Sequence, residues 1–132
     1  MARSAAEGDL THVAALLATR GAVPSLESLR ARLEDGDGGI LLSGDATLSW
    51  ALDGGALHLY DIVGDMGQLD ALLATADQIA RARFAAVLTA ALFQDDAALP
   101  LLLERGFMRD WTEAEVRDGA PITMFGVARE VA

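Results

Sequence analysis

The order of elements predicts an α/β fold in which a central mixed sheet carries helices on both faces. Three observations lead there. Strands and helices alternate as β-α-α-β-β-β-α-β-α-β-β along the 132 residues. An antiparallel meander around Asp53-Gly54-Gly55 then runs into a β-α-β crossover. The stretch Phe84–Phe93 is almost wholly apolar, as in a central strand covered on both faces. No linker or composition shift divides the chain, so residues 1–132 are expected to form a single domain.

Each element has its local reason. Residues 3–6 are expected to form a short first strand. Asp9 then has the character of an N-cap, with Leu10, Val13, Leu16 and Leu17 at helical spacing and Gly21 as the stop. Pro24-Ser25 opens a second helix bearing Leu26, Leu29 and Leu33 on one face, and Glu34–Gly39 is a loop. Ile40–Ser43, Thr47–Leu52 and Leu57–Val63 read as strands, the last two joined by a Gly-rich hairpin turn. After Gly64-Asp65-Met66-Gly67, the positions Leu69, Leu72, Leu73, Ala76, Ile79 and Ala80 mark one buried helical stripe. Phe84–Phe93 follows as a strand. Asp95 or Asp96 caps a helix with Leu99, Leu102 and Leu103, which Gly106 closes. Phe107–Trp111 and Ile122–Ala128 read as a closing strand pair around a polar loop, Thr112–Pro121.

Composition bounds the function. Hydrophobic residues make up 52 %, which excludes a disordered chain. Twenty acidic side chains against ten basic ones give a net charge of −10, and every basic residue is Arg. The arginines are scattered from Arg3 to Arg129, so nucleic acid and anionic membrane are excluded as partners, while a cationic small molecule or basic peptide is attracted. No apolar run reaches membrane-spanning length, and the opening residues hold no apolar signal core, so a cytoplasmic protein is expected. Cysteine is absent, which removes disulfides and thiolate chemistry. His12 and His58 are the two histidines, and with no His pair no metal is expected. Asp35-Gly36-Asp37-Gly38-Gly39 imitates a calcium loop, but its sixth and twelfth positions are Ile40 and Ala46. An apolar meander with free edges is compatible with a homodimer.

The element order, the Gly-containing turn before the helix at 69–83, and the run ending Leu-Leu-Glu-Arg-Gly-Phe at 102–107 resemble the GNAT superfamily of N-acetyltransferases. The opening Ala-Glu-Gly-Asp-Leu-Thr-His-Val-Ala-Ala-Leu-Leu is similar to a first GNAT helix. The resemblance covers residues 3 to 129 and implies acetyl-CoA as donor substrate and transfer of its acetyl group to a small amine or basic peptide by direct attack. It places the donor's pyrophosphate at Gly64, Gly67, Gln68, Leu69 and Asp70, where an open helix N-terminus offers N–H groups. Leu59 and Ile62 would align the pantetheine along the fourth strand. Within the family's Arg/Gln-x-x-Gly-x-Gly/Ala signature only Gly67 matches; Gly64 stands at the Arg/Gln position and Leu69 at the last small residue. Many relatives place a Tyr where this chain has Leu102. These departures keep a second reading open, a non-catalytic GNAT-fold binding module that has lost the donor site.

A transferase needs a base for the incoming ammonium, and the fourth strand offers His58, Tyr60 and Asp61 as catalytic candidates. By the period of two, His58 and Tyr60 share one face, and Asp61 faces the other way with Leu57 and Leu59. Trp50 is expected in the core or on a cleft wall, while Trp111 either packs the tail hairpin or covers an acceptor pocket. Asp110, Glu113, Glu115 and Asp118 read as a solvated acidic loop.

Overall fold

A computed structural model describes residues 2–21 and 24–131. Seven strands form one mixed sheet: β1 (Arg3–Ser4), β2 (Gly38–Ser43), β3 (Ala46–Asp53), β4 (Ala56–Val63), β5 (Val87–Phe93), β6 (Met108–Arg117) and β7 (Ala120–Glu130). Their spatial order is β1-β2-β3-β4-β5-β7-β6. Only β4 and β5 run parallel among these neighbours, because the helix between them returns the chain to the same end of the sheet.

Helices α1 (Leu10–Ala18) and α2 (Leu26–Glu34) cover one face, where Leu10, Val13, Leu17 and Leu29 bury against Ile40 and Leu42. On the other, α3 (Met66–Ala82) and α4 (Ala98–Glu104) bury their stripes against Leu57, Leu59, Leu88 and Leu92. Ser25 caps α2 by accepting the Ser28 N–H at 3.0 Å, and Asp65 caps α3 by accepting the Gln68 N–H at 3.1 Å. Trp50 is buried, its indole lying so close over Gly39 that a Cβ there would come within 2.8 Å. Among the described residues, no helix is long and apolar enough to cross a membrane.

Several expectations are corrected. The first strand stops at Ser4, because the Ala6 N–H turns to the Asp9 carboxylate at 2.8 Å to begin a 3-10 turn over Glu7–Asp9. Asp9 therefore does not cap α1 with its side chain; its carboxylate reaches back to Ala6 and to Arg3, whose guanidinium holds its pKa well below the usual carboxylate range. The fifth strand begins at Val87, since Phe84 takes φ +58° and is 91 % exposed. It is covered on one face only: Leu88, Ala90 and Leu92 are buried, while Ala91 between them is exposed. Neither Asp95 nor Asp96 is the N-cap of α4, which is Ala97 with no side-chain cap; Asp96, one residue earlier, accepts the Ala98 N–H at 2.9 Å. Thr112–Pro121 is not a loop. Backbone pairing from Met108–Ala128 to Arg117–Ala120 makes it a long hairpin closed at Asp118-Gly119, so Asp110, Glu113 and Glu115 ride on an edge strand and Asp118 sits in the turn.

Gly64 closes β4 with φ +137°, and a Cβ there would fall 2.3 Å from the Ala46 Cβ and 2.6 Å from its Cα. Gly64→Ala should therefore cost about 3 kcal/mol in a denaturant titration, since strain and overpacking act together. A loss under about 1 kcal/mol would remove this contact from the fold's requirements.

Candidate active site

The central feature is a parting of β4 from β5. They pair from Ala56–Val87 to Leu59–Ala90 and no further, so Tyr60–Val63 and Ala91–Phe93 diverge. Opposite the divergence, β4 also bulges against β3. Thr47 pairs with Val63 and Ser49 with Tyr60, so β4 advances three residues where β3 advances two. The extra residue lies at Asp61, with φ +51°. This resets the alternation: Leu57, Leu59 and Ile62 are all buried against α3. Asp61 consequently does not face with Leu57 and Leu59. Its carboxylate pairs with the Arg32 guanidinium of α2 at 2.9 Å, and that guanidinium lies 4.8 Å over the Tyr60 ring and donates to the buried Ser49 hydroxyl at 2.9 Å.

Two concavities flank the parting. A cleft of about 350 Å³ opens between the strand ends, walled by Ile62, Val63 and Gly64, by Leu69 of α3, by Phe93 and by Ala97 and Ala98 at the start of α4. Arg20, Asp95, Asp96 and Arg117 complete its rim. Arg117 grips Asp95 with both terminal nitrogens, one bond being 3.1 Å, and holds that carboxyl below its ordinary pKa. The second concavity, a groove of about 370 Å³, runs over the face of β4 and β5 that the helices leave open, between His58 and Tyr60 on one side and Asp110 and Trp111 on the other. Thr89 and Ala91 form its small-residue floor.

The groove is shaped by specific fits. His58 stands opposite Thr89 in the parallel register, and its Nδ1 bonds the Thr89 hydroxyl, leaving Nε2 for the groove. Burial pushes the Tyr60 phenol up, so it keeps its proton through the neutral range. Trp111 lies across Gly126 of β7, where a Cβ would sit 2.0 Å from the indole Cε2. Gly126→Ala should expel the indole from the groove, at about 1–3 kcal/mol of stability. Acrylamide quenching reports this directly, because the other tryptophan, Trp50, is buried. Unaltered quenching would show that the indole has room elsewhere.

The candidate residues fall into three places. His58, Leu59 and Tyr60 line the groove; Ile62, Gly64 and Leu69 line the cleft. The remaining ones point elsewhere. Gln68 turns back to accept the Asp45 N–H at 3.0 Å, and Asp70 pairs with Arg105. Gly67 has open space around a notional Cβ, apart from the Asp65 carboxylate at 3.5 Å. The slot between the strands suits an extended thioester arm. The α3 N-terminus, one of whose N–H groups Asp65 already takes, offers fewer donors to a pyrophosphate. Residues that sequence reasoning passed over are Arg20, Arg32 and Thr89. Nothing in their local context marks them, because the partners lie 17 to 76 positions away along the chain. Among the described residues no group of three or more His, Cys, Asp or Glu side chains could hold a metal.

No family model matches the chain, and no curated protein is similar to it in sequence. Solved structures are similar in fold. The ribosomal-protein-alanine N-acetyltransferase of Brucella melitensis superposes with a TM-score of 0.82 at 22 % identity, over 98 % of this chain and 99 % of its own. An acetyltransferase of the GNAT family from Streptococcus pneumoniae gives 0.78 at 16 % identity, over 99 % of both chains. A Salmonella typhimurium protein solved with its cofactor acetyl-CoA gives 0.83 at 15 % identity, over 100 % of this chain and 94 % of its own. The chain has the GNAT acetyltransferase fold.

Proposed function

We propose that the protein is an acyl-CoA-dependent N-acyltransferase that moves an acetyl group from acetyl-CoA to a small amine or basic peptide. The observation that carries this reading is the parting of β4 and β5 beyond Leu59 and Ala90, with the cleft on one side of it and the groove on the other. A thioester arm laid along Leu59–Ile62 would bring its carbonyl to the vertex, where the groove delivers the amine, so proximity supplies much of the rate.

His58 is the proposed base. It takes a proton from the ammonium so that the nitrogen lone pair can attack the thioester carbonyl; the C–S bond breaks, the thiolate leaves, and the second amine proton is released to solvent. Thr89 holds the imidazole through Nδ1, so that Nε2 receives the proton. Asp61 is engaged by Arg32 and acts through it to fix Tyr60 at the groove wall. The thiolate must take its proton from water, because Leu102, fully buried, stands where related folds offer a phenol. Water as the acid is compatible with turnover, since a positioned acid is worth about 10²–10⁴-fold.

Incubation with acetyl-CoA and a panel of cationic amines and basic peptides, following release of free CoA thiol, tests the reading. Amine-dependent release supports it. No donor binding at all favours the second reading, a binding module that has lost the donor site, for which the Asp65 cap on α3 is the specific observation; donor binding without transfer to any acceptor overturns the transferase reading.

A further inference from the structure

The cleft has an electrostatic gap. A CoA donor carries a polyanionic pyrophosphate, yet α3 opens on the carboxylate of its N-cap Asp65, and Gly64 stands where the signature has Arg or Gln. Gly64 is also held there by its contact with Ala46, so that position cannot supply a cation. Two guanidiniums line the cleft among the described residues, Arg20 and Arg117. Arg117 is committed: both terminal nitrogens grip Asp95, and the group lies 5.1 Å over the Phe93 ring.

Where Arg117 gives both of its bonds to a carboxylate, Arg20 gives only one of its two. It follows α1, its N–H closing the last turn onto the Leu17 carbonyl, and its side chain crosses the cleft mouth. One terminal nitrogen donates to the Ile62 carbonyl at 3.2 Å and the other to Asp96 Oδ2 at 3.1 Å. Asp96 does not depend on that contact, because its Oδ1 accepts the Ala98 N–H at 2.9 Å. We propose that Arg20 is the phosphate-binding residue of the donor cleft: it exchanges Asp96 for the pyrophosphate of the acyl-CoA and replaces, from a different element, the cation missing at Gly64. A phosphate offers more negative charge and a bidentate face, where Asp96 offers one oxygen.

The assignment rests on the cleft being an acyl-CoA site, and two variants with two ligands separate the two claims. Acetyl-CoA and S-acetylpantetheine, which lacks the pyrophosphate, are titrated calorimetrically into wild type, Arg20→Gln and Asp96→Asn. Arg20→Gln should weaken acetyl-CoA about tenfold and leave S-acetylpantetheine unchanged. Asp96→Asn, whose amide oxygen still accepts the Ala98 N–H, should tighten acetyl-CoA about threefold by releasing Arg20. Opposite signs for the two variants are the mark of a ligand exchange. Acetyl-CoA affinity unchanged or improved in Arg20→Gln, or equal losses for both ligands, overturns the assignment while the donor reading stands. Wild-type protein that binds neither ligand overturns the donor reading and this assignment with it.

Discussion

With acetyl-CoA at about a hundred times its dissociation constant, the unfolding free energy should rise by about 2.7 kcal/mol, a shift of several degrees, and Gly67→Asp should abolish that rise. The substitution is informative because it reaches the ligand without reaching the fold. Gly67 lies in the first turn of α3, and a Cβ there meets nothing nearer than the Asp65 carboxylate at 3.5 Å. A new carboxylate would stand beside Asp65 at the helix start, where the dipole tolerates it in the free protein. A phosphate in the same place would be repelled. The melting temperature without ligand should therefore stay within a degree or two of wild type. A full ligand shift in Gly67→Asp would move the phosphates away from the α3 N-terminus altogether.

The second large effect concerns the chemical step. His58→Gln should lower kcat by about 10²–10⁴-fold, with little change in donor affinity or stability. The side chain is exposed in the groove, and its one internal partner is the Thr89 hydroxyl, which a glutamine amide can still meet. Asp61→Asn should lower kcat by no more than about tenfold, because it removes a partner of Arg32 and not a proton carrier. Steady-state rates at saturating donor and amine discriminate the two. If Asp61→Asn is the more damaging change and His58→Gln keeps most of the rate, the base is Asp61.

Local pattern determined much of this molecule. The hairpin at Asp53-Gly54-Gly55, the stripe from Leu69 to Ala80 and the Ser25 and Asp65 caps depend on residues a few positions apart, and periodicity and capping chemistry report them directly. The element order, and with it the mixed sheet with helices on both faces, followed from those signals. The placement of His58 and Tyr60 on one face held as well, because alternation is undisturbed up to Tyr60.

Tertiary structure alone decided what lies beyond Tyr60. The bulge at Asp61 comes from a mismatch with β3, and no pattern within β4 encodes how its partner is registered. It turned Asp61 from the apolar face toward Arg32. The extension of β6 and β7 through a polar segment was hidden for a similar reason: an edge strand exposed along nearly its whole length shows no hydrophobic alternation, and backbone pairing alone defines it. Arg20 shows the same limit most sharply. Its partners Ile62 and Asp96 are 42 and 76 residues away, so its position over the cleft is set by the packing of α1 against the sheet, which brings the arginine to the place where β4 and β5 part.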